Sequence, residues 1–393
     1  MFKHKLEKIK KAKREGRLQS ALASKARPYL SAIGSIVKFG NENAFEIRRP
    51  SIVANSKNPQ ELEVVERIFE SYKKMKAAEG LADPLCKPSL AWQEQINNSY
   101  APFLQSLESD SIEAFHHLLS NFGSWPHYTG ISGNMLMRSF ASNPLGRRYL
   151  TNTYFNNHVN LWKWLHGART PVSELDCPVH GNQAGVFHEG NFIVPSSCAN
   201  HYNTGMLSAL LNDDTDAVIG ELGGGCGQFA YYLLKKLNTY KYIDYDLPEP
   251  LCVAAYYLML ALPDKGVNLF GESRSAGTVL ADLNFVPNFL IKEHPEIEFD
   301  LFLNKNSLGE MNSETIAYYL EFILDKSYYF FHMNHDNHRN VFSSNYESLL
   351  SHEFPVNDDQ YELLFRYPDI WHMLQNNKID FYMDIFMYLY KRR

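Results

Sequence analysis

The chain has 393 residues, 45% hydrophobic and 21% charged, enough for two domains or one enlarged domain with a substantial core. Its net charge of −6 is uneven: residues 1–17 hold eight Lys and Arg against Glu7 and Glu15, so the remainder carries −12. An acidic body argues against broad nucleic-acid binding, which needs a basic face to neutralise phosphates.

The five cysteines (Cys86, Cys177, Cys198, Cys226, Cys252) are odd in number and form no CxxC pair. They read as reduced thiols of a cytoplasmic protein, with neither a disulfide frame nor a zinc site. The basic N-terminus lacks the apolar core of a signal peptide. The longest uncharged apolar run, Leu251–Leu262, is too short to span a bilayer, so a soluble or peripheral protein is expected.

In chain order, residues 2–22 predict a basic helix with Phe2, Leu6, Ile9, Ala12 and Leu22 loosely on one side. Such a helix is either a solvated terminal element or an arm for the inner face of a membrane or a partner. Residues 28–57 read as a polar linker. Helical signals start at Asn58-Pro59-Gln60-Glu61, an N-cap followed by proline and glutamate, with Leu62, Val65, Phe69, Tyr72 and Met75 at helical spacing. A second helix opens at Asp110-Ser111-Ile112-Glu113 and stops at Gly123. A third follows Asn143-Pro144 and carries Tyr149, Phe155, Val159, Trp162 and Leu165 to Gly167. Between them Ser124–Gly130 is an aromatic loop, equally a ligand wall or a structural corner.

From Val179 glycines punctuate short runs, and His201–Leu211 predicts a helix. Strands and helices then alternate: Ala217–Leu222, Lys241–Tyr245, Glu249–Leu262 (helix), Gly277–Leu280 or Asn284–Val286, Phe299–Leu303, Ser313–Leu324 (helix) and Tyr328–His332. That rhythm predicts a Rossmann-like α/β fold with a mostly parallel sheet. Tyr361–Phe365 and Phe381–Tyr390 have no convincing helix between them and should form an antiparallel pair. The expected organisation is a basic helix and linker (1–57), a helical acceptor-side cap (58–205) and a cofactor-binding α/β domain (206–393).

The organising motif is Glu221-Leu222-Gly223-Gly224-Gly225-Cys226-Gly227: a buried strand ends in an acid, then glycines let the backbone turn towards a ligand before a helix. Asp246 lies 19 residues after Gly227, at the end of the next strand, where a carboxylate accepts ribose hydroxyls. Gly225–Ala230 also satisfies GxGxxA, so a nicotinamide or flavin oxidoreductase is one alternative and a non-catalytic binding protein another. Glu221 favours S-adenosylmethionine, because an acid beside the turn suits a cationic methionine end and repels a pyrophosphate. The late antiparallel pair is likewise the usual ending of a methyltransferase sheet.

Separated patches from about residue 100 to 393 carry a further likeness: Gly181–Gly185, His201-Tyr202-Asn203, Glu221–Gly227, Asp246-Leu247-Pro248-Glu249, Asp300–Met311, Tyr319, Phe330–Asn334 and Asp384–Arg392. Together they resemble the sugar O-methyltransferase family of class I S-adenosylmethionine-dependent enzymes. Departures are Gln183-Ala184 in place of the family's aromatic-proline corner, and Cys226 in place of its tyrosine. The resemblance implies methyl transfer to a sugar hydroxyl in surface-glycan or glycoconjugate biosynthesis, on a nucleotide-, lipid- or polymer-linked acceptor. No nucleic-acid partner and no particular oligomer is implied.

The cofactor-binding candidates are Glu221, Gly223, Gly225, Gly227 and Asp246. Methyl transfer needs a base for the acceptor hydroxyl, beyond the carboxyl ends of the fourth and fifth strands. Glu310 is the first candidate, as base or hydroxyl anchor, against a role as a helix N-terminal acid. His332 or His335 is the second. His332, His335 and His338 at spacing three admit a divalent metal, which is not favoured because side chains on a loop need not converge. No metal ligand is assigned. His201, Tyr202, Asn304, Ser307 and Asn334 are the substrate-side candidates.

Overall fold

The computed structural model describes residues 30, 44–125, 134–167, 169–211, 216–272, 280–339, 341–343, 346–375 and 384–393. The basic segment 2–22 and most of the aromatic loop after Trp125 lie outside them. The chain forms two compact units: the larger takes residues 51–132, 178–183 and 199–393, the smaller 1–50, 133–177 and 184–198.

The larger unit is built on eight strands: β1 (Ala217–Leu222), β2 (Tyr240–Asp246), β3 (Val267–Leu269), β4 (Leu283–Pro287), β5 (Phe299–Lys305), β6 (Ser327–His335), β7 (Tyr361–Pro368) and β8 (Ile385–Arg392). They lie in the order β7-β8-β6-β5-β1-β2-β4-β3. The six strands from β6 to β3 are parallel neighbours. β8 runs antiparallel to both β6 and β7. This is a Rossmann-like, mostly parallel sheet with the reversed-strand ending expected from the sequence. Helices cover its faces, so β1 and β5 are buried almost continuously instead of alternating.

Four helices matter for the site: α1 (Pro59–Glu79), α2 (Gln228–Leu234), α3 (Pro248–Ala261) and α4 (Ser313–Lys326). α1 starts where Asn58 Oδ1 accepts a bond from the Gln60 amide at 3.1 Å, and buries Val65, Phe69, Tyr72 and Met75. It packs on α3, whose residues from Pro248 to Met259 are all buried. The fully buried Glu249 carboxylate is compensated there by Lys76 Nζ at 3.0 Å and the Tyr72 hydroxyl at 2.9 Å. On α4 the core is aromatic and aliphatic, with Tyr245, Phe299, Phe302, Ile316, Tyr319, Leu320 and Phe330 in one cluster.

The smaller unit pairs Glu46–Arg48, Gly185–His188 and Asn191–Ile193 in an antiparallel sheet. Its hairpin turns at Glu189 (φ 51°) and Gly190 (φ 79°), the left-handed pair of a two-residue loop. Helices Asn134–Phe140, Pro144–Tyr149 and Asn156–His166 accompany it, the last two joined by a π-helical stretch, Leu150–Phe155.

Several expectations change. The linker 28–57 contains the strand Glu46–Arg48, too short for periodicity to reveal. Of the two stretches offered for the third strand, Asn284–Val286 lies within Leu283–Pro287 and Gly277–Leu280 falls outside the described residues up to position 279; the outer strand Val267–Leu269 was not foreseen. The helix before β1 spans Ser197–Ser208, and a short helix, Ile370–Gln375, lies between β7 and β8. β6 runs on through Asn334 to His335 because β8 supplies a hydrogen-bonding partner along that whole length. Among the described residues no helix is long and apolar enough to cross a membrane, and no disulfide forms although all five cysteines are included.

Candidate active site

β1 delivers the chain to a turn whose geometry demands glycine. Gly223, Gly225 and Gly227 have φ of 80°, 64° and 74°, which side chains with a Cβ rarely adopt. A Cβ on Gly223 would stand 2.5 Å from Ser307 Oγ, and one on Gly224 2.6 Å from the Asp244 carboxylate. The turn amides face acids: Gly224 N donates to Asp244 Oδ1 at 3.2 Å and Gly225 N to Asp246 Oδ2 at 3.1 Å. Leu247 N donates to the other Asp246 oxygen at 2.7 Å. Asp246 is thus fixed in orientation by two backbone donors.

The surroundings are unusually acidic for their depth. Glu221 is buried, and accepts a 2.6 Å bond from the Tyr242 hydroxyl. Burial raises its carboxyl, and the Tyr242 bond and the Lys305 charge act in the opposite direction. Burial together with the charges of Asp246 and Glu221 pushes Asp244 well above the ordinary carboxylate range, and its Oδ2 has no hydrogen-bond partner. Burial pushes Asp246 up to about 7, opposed by its two backbone bonds and reinforced by Glu221 and Glu310. The neighbouring cation is Lys305, whose ammonium donates to Asn200 Oδ1 at 3.0 Å and sits over the Phe229 ring at 5.0 Å. Burial lowers its pKa despite the charges of Asp369 and Glu221. Among the described residues the turn sets three buried carboxyls against one lysine, and a bound cation would favour their ionised forms.

Asn304, Ser307 and Asn334 tie the strand ends together. Asn304 Nδ2 donates to Leu222 O at 2.9 Å and to Ser307 Oγ at 2.5 Å, and its Oδ1 accepts from Asn334 Nδ2 at 2.9 Å. Ser307 Oγ donates to the same Leu222 carbonyl at 2.9 Å, while Asn334 Oδ1 accepts from Gly309 N at 2.9 Å. The buried Asn304 and Asn334 amides therefore spend their hydrogen bonds on protein groups. Their evident task is to hold β1, β5, β6 and the turn Leu308–Glu310 in register.

The structure separates the two candidate histidines. His332 is fully buried, facing Tyr388 at 4.9 Å and 9° and packed on Phe354 at 4.9 Å. Both its ring nitrogens lack hydrogen-bond partners and burial lowers its pKa to about 3. It is a neutral core residue and leaves the catalytic set, a correction that follows from the strand continuing past it. His335, three residues on, faces the other side and is half-buried. Its Nδ1 pairs with Asp384 Oδ2 at 2.5 Å, and the other Asp384 oxygen accepts from the amides of His338 at 2.8 Å and Asn337 at 3.2 Å. Those bonds outweigh burial and hold Asp384 below the ordinary carboxylate range. Glu310 sits nearby: burial raises its pKa, against the 2.6 Å bond from Trp92 Nε1 and the charge of His335.

His201 and Tyr202 lie on the helix Ser197–Ser208, next to Asn200, which accepts the Lys305 bond. His201 is buried, its Nε2 3.0 Å from Lys236 Nζ, and Tyr202 meets Trp371 edge-on at 6.0 Å. Among the described residues no three His, Cys, Asp or Glu side chains could hold a metal ion, and His332 and His335 point to opposite faces of the sheet. Four residues of the site were missed from the sequence. Asp244 shares a strand face with Asp246, a signal that period-two reasoning supplies. Lys305 lies two residues past the predicted strand Phe299–Leu303, and Asp384 lies inside the predicted run Phe381–Tyr390, just before β8. Trp92, 218 residues from Glu310, carries no local signal.

The chain matches no protein-family model and no curated protein, so the resemblance to sugar O-methyltransferases rests on the quoted motifs. Among solved structures it is similar to the mitomycin 7-O-methyltransferase MmcR (12% identity, 51% of this chain, 56% of that one, TM-score 0.34). It is also similar to the N-methyltransferase NodS from Bradyrhizobium japonicum WM9 in complex with S-adenosyl-L-homocysteine (10% identity, 50% and 88%, TM-score 0.35). An rRNA methylase from Streptococcus thermophilus is a third (12% identity, 49% and 95%, TM-score 0.32). Likenesses of this size do not bear on what the chain acts on.

Proposed function

We propose that the chain is an S-adenosylmethionine-dependent O-methyltransferase that methylates a sugar hydroxyl on a nucleotide-, lipid- or polymer-linked glycan in the cytoplasm. The observation that carries this reading is the acidic, cation-poor turn at Glu221–Gly227. A dinucleotide would bring two negative phosphates to buried acids and oppose their ionisation, whereas a sulfonium with an ammonium group favours their ionised forms. The residues fit such a cofactor: the glycines leave room for close approach, and the buried Asp244 Oδ2 stands without a hydrogen-bond partner. When bound, S-adenosylmethionine supplies the methyl group and its own thioether leaving group.

The chain's part is to bind, orient and deprotonate. Asp246, fixed by the Gly225 and Leu247 amides, keeps lone pairs for ribose hydroxyls. Glu221 complements the cationic end. Asp384 holds a proton on His335 Nδ1, which leaves Nε2 basic and able to take the proton of an acceptor hydroxyl. Glu310, positioned by Trp92, anchors a neighbouring hydroxyl. His201, Tyr202, Asn304, Ser307 and Asn334 support this reading as positioning residues around the strand ends.

Calorimetry with S-adenosylmethionine, S-adenosyl-L-homocysteine and NAD tests the cofactor, and binding of NAD alone overturns the proposal. Asp246→Ala should weaken S-adenosylmethionine about tenfold or more. His335→Gln should spare cofactor affinity and lower turnover about a hundredfold or more, measured as label transfer from the methyl donor to glycan extracts. Full turnover in His335→Gln would remove it as the base.

A further inference from the structure

The smaller unit holds a groove of about 820 Å³ that the methyl-transfer chemistry does not use. Arg147 and Arg148 line one wall, and Glu46 and Arg49 come from the strand segment opposite. Glu189, at the hairpin tip, is already close to Lys163 Nζ at 3.6 Å and His188 Nε2 at 3.4 Å, so the groove is basic on balance. Arg49 is exposed and has no ion-pair partner among the described residues. Arg147 makes one long bond, 3.5 Å to Ala141 O, which leaves most of its guanidinium uncommitted.

The arginines are held, not merely displayed. Asn143 Oδ1 caps the short helix Pro144–Tyr149 by accepting from Gly146 N at 2.7 Å. A Cβ on Gly146 would stand 2.1 Å from the Phe140 carbonyl, so only glycine lets that helix seat against the preceding turn. Across the groove the strand is pinned by Phe45, buried and stacked on His188 at 4.3 Å.

Guanidinium groups match phosphate oxygens two at a time. The volume exceeds what a single phosphate needs and falls in the range of small-molecule sites, roughly 300–1,000 Å³. Glu46 is exposed and offers carboxylate oxygens to hydroxyls, while both glutamates would oppose the continuous phosphate track of a nucleic acid. A short anion joined to a hydroxyl-rich body satisfies both requirements.

We propose that this groove binds the diphosphate of a diphosphate-linked sugar, with Arg49 and Arg147 gripping the phosphates and Glu46 accepting a sugar hydroxyl. That the bound sugar is the methyl acceptor rests on the function proposed above; the binding itself does not.

Calorimetry on the full chain tests it with inorganic pyrophosphate, UDP-glucose, vesicles containing a polyprenyl diphosphate, free glucose and a short single-stranded RNA. Pyrophosphate should bind and free glucose should not, and UDP-glucose against the vesicles distinguishes a soluble from a lipid-linked source. R49A/R147A should weaken pyrophosphate about tenfold or more, with R49K/R147K intermediate because charge remains but the fork is lost. The same variants must keep wild-type affinity for S-adenosylmethionine, which shows that they fold. Undetectable pyrophosphate binding, binding unchanged in R49A/R147A, or RNA that outcompetes UDP-glucose would each overturn the proposal. Loss of S-adenosylmethionine binding in the unaltered chain strikes the methyl-transfer reading and leaves this one standing.

Discussion

His332 and His335 stand three residues apart on one strand, and an odd spacing sends them to opposite faces. One becomes an aromatic-like core residue, the other half of a hydrogen-bonded dyad. Because His332 buries two unpaired ring nitrogens, His332→Phe should raise stability by about 1 kcal/mol in denaturant titration and leave turnover unchanged. Asp246 makes a different prediction. Its carboxyl is pushed up to about 7 by burial, so ribose hydroxyls that donate to its ionised form must expel a proton. Affinity for S-adenosylmethionine should therefore rise with pH up to about 7 and level off above it. Asp246→Asn should flatten that slope, and calorimetry in buffers of different ionisation enthalpy counts the proton released.

At the scale of elements, the Asn304–Asn334 clasp joins β5 to β6 and holds the Leu222 carbonyl at the root of the glycine turn. Asn334→Ala strands the Gly309 amide and leaves Asn304 Oδ1 only a long bond from Leu308 N at 3.4 Å, and should cost about 1–3 kcal/mol of stability, read as a lower urea midpoint. It should weaken the methyl donor as well, since the turn loses its floor. The sequence showed β1, β2 and α3 because buried parallel strands and a buried helix are continuous apolar runs bounded by glycine, acid and proline. β3 and the strand Glu46–Arg48 were invisible: three residues cannot display a period, and only their neighbours make them strands. The glycine turn and Asp246 were legible because backbone geometry restricts which residues fit. The His335–Asp384 pair was half legible, since its members lie 49 residues apart and meet only through the pairing of β6 with β8.

At the scale of the whole larger unit, the sheet is locked where β6 ends. Asp336 is buried and receives bonds from Arg366 Nε at 3.0 Å, the Tyr388 hydroxyl at 3.0 Å and His352 Nδ1 at 2.9 Å, joining residues near β6, β7 and β8. Burial works to raise its pKa, but those bonds and the Arg366 charge outweigh it and hold it below the ordinary value. A carboxyl depressed in the folded state stabilises fully above its unfolded pKa and loses that contribution as pH falls below about 4. Asp336→Asn should therefore lower neutral-pH stability by about 1–3 kcal/mol and shrink the acid-dependent loss, both visible in melts across pH. The reversed strand also has a temporal consequence. β8 wedges between β6 and β7, which precede it in the chain, so until residues 385–392 arrive two strand edges face solvent with unpaired amides. A ribosome would release the half that carries the glycine turn, complete by β5, well before the half that carries the His335–Asp384 pair is assembled. The nascent chain's exposure to mispairing is concentrated in that interval, and it ends with the insertion of one eight-residue strand.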